Sequence, residues 1–257
     1  MLIPKFQTII LAGFGAIGAL FGQCADGDDA TIAVATNFAS TMQALKSDFE
    51  AISGHTLTIA AGSTGQIYAQ IINGAPFDIY LAADQARPGL LAESGLAQPE
   101  TRVTYATGQL VLWGNNRPDT SQFDLTTLLE QDDIKIALAN PDLAPYGSAS
   151  RDVLDALGLW PQANGRLVRG ENIGQTYLLV ATGNVDFGFV ALSQILSDDT
   201  VETGSWQLVP QSLYDPIRQD AIMMRRAASN IAARDFLIYL NSAPAKALIE
   251  QHGYEVD

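Results

Sequence analysis

The chain has 257 residues, 47% of them hydrophobic and 16% charged, which excludes extended disorder and allows one large domain or two ordinary ones. Its formal net charge is −14. A field of that sign works against nucleic acid and anionic lipid, which are held by Lys and Arg, but leaves small anions open, because local dipoles can dominate in a closed cleft.

The N-terminus reads as an export signal. Lys5 supplies a positive charge, and residues 8–22 are apolar, rich in Gly and Ala and free of charge. That run is shorter than the ~20 apolar residues of a spanning helix. Cleavage is expected within residues 22–25, which makes 1–25 the signal peptide. Cys24 is the only cysteine, so it has no internal disulfide partner. It stands where a lipoprotein carries its acylated cysteine, but Phe21-Gly22-Gln23 departs from the Leu-small-small pattern of such signals.

Strand-like and helix-like segments then alternate. Residues 31–36 lean to strand. Met42, Leu45, Phe49 and Ile52 recur at helical spacing, and Gly54 closes that helix. Residues 56–61 predict a strand, 66–73 a helix stopped by Gly74, and 77–83 a third strand. This order predicts a parallel sheet. Further strands are expected at 109–113, 135–139, 186–192 and 219–224, with helices at 125–130, 148–157, 175–181, 229–240 and 245–251. Pro244 is expected to break the last two helices apart. No repeat or long linker interrupts the pattern, so any crossing between lobes must be short, with 104–108 and 213–217 as candidates.

Three strand-to-helix junctions carry small hydroxyl or amide residues. They are Thr36-Asn37-Phe38-Ala39-Ser40-Thr41, Gly62-Ser63-Thr64-Gly65-Gln66, and residues 141–150 with Pro145-Tyr146-Gly147-Ser148. Helix starts expose unpaired N–H groups and partial positive charge, small residues let an anion reach them, and α/β ligands sit beyond the carboxyl ends of strands. The same residue types serve as ordinary helix caps, so the junctions leave oxyanion binding and simple capping both open.

Other constellations are weak. His55 and His252 are the only histidines, which supports neither a triad nor a zinc site. Gly62-Ser63-Thr64-Gly65 is not a Gly-x-Ser-x-Gly elbow, and no phosphate-binding loop is present. Asp78 and Asp84 bracket a strand, where capping or solvated roles compete with a metal. Trp113, Trp160 and Trp206 read as core or surface residues.

At these junctions the sequence resembles the periplasmic molybdate-binding proteins of ABC importers. The likeness runs from Thr31 to Val256. It rests on Ala35-Thr36-Asn37-Phe38, Gly62-Ser63-Thr64-Gly65, Gly74-Ala75-Pro76-Phe77-Asp78 with Ala82-Ala83-Asp84, Ala139-Asn140-Pro141-Asp142 with Ala144-Pro145-Tyr146-Gly147, Glu171-Asn172-Ile173, and Gly188-Phe189-Val190-Ala191.

The resemblance implies an α/β, two-lobed periplasmic-binding-protein fold. Each lobe would be a mainly parallel sheet flanked by helices, with the ligand cleft between lobes. It divides the chain into 30–107 with 217–257, and 108–216. The implied oxyanion ligands are Thr36, Asn37, Ser63 or Thr64, Tyr146 and the backbone near Ile173. Many members place a tyrosine where this chain has Ala191, and another branch places it on the Pro-Tyr-Gly turn, so the phenolic role falls to Tyr146.

The function implied is a non-enzymatic, monomeric, periplasmic receptor. It would hold molybdate or tungstate as oxyanion, with no bare cation and no cofactor, and deliver it to a membrane permease. The rivals are a binding protein of the same fold for sulfate, phosphate or an organic acid, and a hydrolase using Ser63.

Overall fold

The computed structural model describes residues 28–115, 125–130, 134–163, 165–197 and 205–256. The expected signal peptide and Cys24 lie outside them. The chain builds β1 (Asp29–Ala35), α1 (Ala39–Ser53), β2 (Thr56–Gly62), α2 (Thr64–Ile72), β3 (Ile79–Leu81), α3 (Ala86–Glu93) and β4 (Val103–Gly108). It continues through β5 (Leu110–Gly114), α4 (Leu125–Glu130), β6 (Ile136–Ala139), α5 (Pro145–Ala156), α6 (Trp160–Ala163), β7 (Leu167–Gly170), α7 (Ile173–Ala181), β8 (Phe187–Ala191), α8 (Leu192–Leu196) and β9 (Ser205–Leu208). It closes with β10 (Ile217–Met223), α9 (Ile231–Leu240) and α10 (Ala243–Gln251).

These strands form two sheets, ordered β2-β1-β3-β10-β4 and β7-β6-β8-β5-β9. The two orders correspond position by position. In each, the first three strands are parallel and the last two pairings antiparallel. The sheets are therefore mixed, and the parallel half of each is the half with strand–helix alternation. The chain passes from the first sheet to the second between Gly108 and Leu110 and returns to the first at Ile217.

The central strands are covered on both faces, so β5, β6 and β8 read as continuous apolar runs. Side chains alternate across the pleat. Ile32 and Val34 pack with Phe49 of α1 and Phe236 of α9, while Ala33 packs with Ile67 and Ile71 of α2 on the opposite face. In the second lobe Leu110 and Leu112 meet Val153 and Leu154 of α5, and Val111 and Trp113 meet Val180 of α7. Each such side chain taken fully out of water contributes about 1.5–3 kcal/mol.

Element ends follow local chemistry. Gly54 caps α1 at φ 76°, in the left-handed region. Helix α5 starts at Pro145, three residues ahead of the expected Ser148, because proline is tolerated in a first turn. The Pro-Tyr-Gly segment is thus helical. Ser242 caps α10, so the break before it falls ahead of Pro244, which sits in the new helix's first turn. Residues 104–108, read as a crossing, also form most of edge strand β4. Helices α3 and α8 and strands β7 and β9, with no strong periodicity in the sequence, complete the lobes.

Candidate functional site

Four strand ends converge between the lobes. In the first, parallel β1 and β2 finish side by side at Ala35 and Gly62, and the chain turns into a 3-10 turn at Thr36–Phe38 and into α2 at Thr64. In the second, β6 and β7 finish at Ala139 and Gly170, ahead of α5 and α7. Two junctions from each lobe face one another across a cavity of about 10 Å³. That is below the ~300–1,000 Å³ of sites for organic ligands.

The cavity brings together Thr36, Asn37, Ser63, Thr64, Tyr146 and Ile173, from positions up to 137 residues apart in sequence (173 − 36). Ala35, Gly62, Ala83, Ala144, Pro145 and Asn172 complete its lining. None of the twelve is charged. The 3-10 turn, α2 and α5 have no side-chain cap at their starts, although Gly65 N of α2 already donates to the Leu143 carbonyl and Gly147 N of α5 to the Ala144 carbonyl. At α7 the cap is Asn172, whose Oδ1 accepts from Gln175 N (2.9 Å).

Hydroxyl bookkeeping separates the side chains. Ser63 Oγ donates to the Leu143 carbonyl of the opposite lobe (2.7 Å), beside Gly65 N on the same oxygen (2.8 Å). Its hydrogen is spent on holding the lobes together. Thr64 Oγ1 instead accepts from Ala83 N (3.1 Å), which leaves its own hydrogen for a ligand. Thr36 Oγ1 accepts from Gly174 N (3.3 Å) and makes only a long contact with Asn172 Oδ1 (3.5 Å).

Tyr146 is 1% exposed and accepts from Gln219 Nε2 (3.3 Å). Burial, with the neighbouring Tyr254, holds its hydroxyl well above the usual phenol range, so it remains a protonated donor. Asn37 lines the cavity, yet its Nδ2 donates to Gln219 Oε1 (2.9 Å) and to the Tyr254 hydroxyl (3.1 Å). The amide is turned into a buried network, so the part of Asn37 left for a ligand is its backbone.

Two glycines are required by close approach. A Cβ on Gly108 would lie 1.9 Å from the Tyr146 hydroxyl, and one on Gly147 would lie 2.3 Å from the Ala139 carbonyl.

The remaining candidates lie elsewhere. His55 pairs with Asp235 (3.2 Å) at the start of β2, the end remote from Ser63. With no acid or base lining the cavity, the hydrolase reading lacks a proton acceptor. Asp78 binds Arg226 and Thr31 N, and Asp84 binds Arg87. Among the described residues no group of three or more His, Cys, Asp or Glu is arranged to hold a metal ion. Trp113 is buried, stacked on Tyr177.

The sequence reading missed Gln219, Tyr254 and Ser193, which support the site from behind. For Gln219 a signal existed: the polar stretch Arg218-Gln219-Asp220 inside a strand whose other residues are apolar.

Comparison with known proteins places this geometry. Residues 30–255 match the family described as bacterial extracellular solute-binding protein. The molybdate-binding protein ModA of Rhodobacter capsulatus is 39% identical over 98% of this chain and 99% of its own length. That of Azotobacter vinelandii is 41% identical over 93% and 95%. The solved structure of the Azotobacter vinelandii periplasmic molybdate-binding protein superposes with a TM-score of 0.82 at 36% identity, covering 89% of this chain and 99% of that one. The chain belongs to the bacterial extracellular solute-binding protein family.

Proposed function

We propose that this protein captures molybdate, or the equally sized tungstate, in the periplasm and delivers it to the membrane permease of an ABC importer. The observation that carries the reading is the small, uncharged cavity, which offers hydrogen-bond donors from both lobes and no acidic side chain. A dianion is favoured there because N–H dipoles and hydroxyls replace its water without counter-charge, and bonds to a charged ligand contribute about 1.5–3 kcal/mol each. The names of the similar proteins support the choice of metal oxyanion. Thr36, Thr64, Tyr146 and the backbone of Asn37 and Ile173 are the ligands in this reading. Ser63 acts chiefly as an interlobe tie. The two lobes follow the two sheets, with residues 108–216 as the second.

Sulfate and phosphate are the rivals. Both are smaller, and donors spaced for a larger tetrahedron would leave them with long hydrogen bonds. Thermal melting with each anion tests this. Molybdate at a hundredfold excess over its Kd should stabilise the fold by about 2.7 kcal/mol, a rise of roughly 5–11 °C for a chain of this size. A larger rise with sulfate than with molybdate would sink the proposal.

A further inference from the structure

We infer that Gln219 is a positioning residue, which sets the direction of the Tyr146 hydroxyl so that its hydrogen must point into the cavity. Gln219 is fully buried, 0% exposed, on the strand that returns from the second lobe to the first. The β10–β4 register shifts between Gln219 and Asp220. This irregularity turns two consecutive polar side chains inward, as bulges beside binding sites do. Asp220 is held by Arg102, Thr104 and Gln85, while Gln219 faces the site.

The bonds around Gln219 run one way. The Tyr254 hydroxyl donates to the Asn37 carbonyl (2.8 Å) or to Ser193 Oγ (2.9 Å), and in either case its oxygen can accept from Asn37 Nδ2 (3.1 Å). Asn37 Nδ2 also donates to Gln219 Oε1 (2.9 Å), and the single hydrogen of the Tyr105 hydroxyl is shared between that oxygen (3.0 Å) and the Ala82 carbonyl (3.1 Å). With Oε1 so engaged, Gln219 Nε2 points at the Tyr146 oxygen (3.3 Å). Tyr146 therefore accepts from behind, and its single hydrogen is left for whatever occupies the cavity. Gly108 keeps this contact open, since a Cβ there would lie 2.6 Å from Gln219 Nε2. Every member is neutral and buried, so the relay supplies direction without bringing a charge to the anion.

This inference rests on the proposed anion site, and a double-mutant cycle titrated calorimetrically with molybdate separates the two. The proteins are the parent, Tyr146→Phe, Gln219→Met and the double variant, with melting curves recorded without ligand. Each single change should weaken binding by about tenfold or more. The double variant should bind within about threefold of the weaker single one, because Gln219 acts through Tyr146. Losses that multiply, or Gln219→Met binding like the parent, overturn the inference.

If Gln219→Met fails to melt cooperatively, Gln219→Glu replaces it. Its carboxylate has the same shape but draws the Tyr146 hydrogen away from the cavity. The loss with Tyr146 present should then exceed the loss in the Tyr146→Phe background, which reads the added charge alone. Equal losses overturn the inference. A parent protein that binds no molybdate overturns the proposed function instead.

Discussion

The small cavity between the lobes and the larger groove beside it share Ala83 and Pro145 as a common wall, yet they are built from opposite chemistry. The cavity has a volume of about 10 Å³ and no charged side chain. The groove has a volume of about 440 Å³ and is lined by Asp84, Arg87, Asp152, Asp215 and Arg218. Burial, with Asp215 and Asp155 nearby, pushes the Asp152 carboxyl up. Charge is thus kept where solvent can screen it, and the enclosed space is left to dipoles. A full cation in the cavity would have to be desolvated each time the lobes opened and closed, whereas N–H groups and hydroxyls stay oriented by the fold. This is how a chain of net charge −14 can hold an anion.

The contrast can be broken most sharply by putting a charge in the cavity. Thr64→Asp should weaken molybdate binding by more than about a hundredfold, because like charges meeting in an enclosed site cost several kcal/mol. Calorimetric titration reads this, and binding within tenfold of the parent would mean that the anion sits elsewhere. Gly108→Ala comes next. Its Cβ meets the Tyr146 hydroxyl, so it should displace that donor, lower binding about tenfold or more, and cost about 1–3 kcal/mol of stability in a denaturant titration.

A comparison within the cavity is finer. Thr64→Ala should cost more affinity than Ser63→Ala, since only the Thr64 hydrogen is uncommitted. Ser63→Ala should act chiefly on release, because it loosens the tie to Leu143, and stopped-flow dissociation should show a faster off-rate. In the groove, Arg218→Ala should change affinity by less than about threefold, an exposed charge being screened by solvent.

The smallest effect concerns pH. The Tyr146 hydroxyl is raised above the usual phenol value, which keeps its proton on as pH rises. Affinity should therefore stay flat from about pH 7 to 9.5, where an unperturbed tyrosine with a pKa of about 10 begins to lose its proton. A fall beginning near pH 9 that is absent in Tyr146→Phe would show the phenol titrating in its ordinary range.

Much was legible in the sequence because it was written locally. Apolar runs with helical spacing between them identify β1, α1, β2 and α2, and Gly54 marks where α1 stops. Small hydroxyl residues at strand-to-helix junctions identify Thr36, Ser63 and Thr64, since the backbone beside them needs space and donors. Family-like motifs identify Tyr146 and Ile173, and all converge on one cavity.

What only the tertiary structure decided is the direction of each hydrogen bond. Ser63 and Thr64 are adjacent and nearly alike in sequence, but Ser63 meets a carbonyl from the other lobe and Thr64 an N–H from its own. Asn37 looks like a ligand in its motif, yet its amide bonds to partners 182 and 217 residues further along the chain. A hydroxyl or an amide can donate or accept, and its local sequence does not choose. The choice falls to whichever group the fold brings opposite: Leu143 for Ser63, Ala83 for Thr64, and for Asn37 the β10 strand and the C-terminal segment, which return from the far end of the chain.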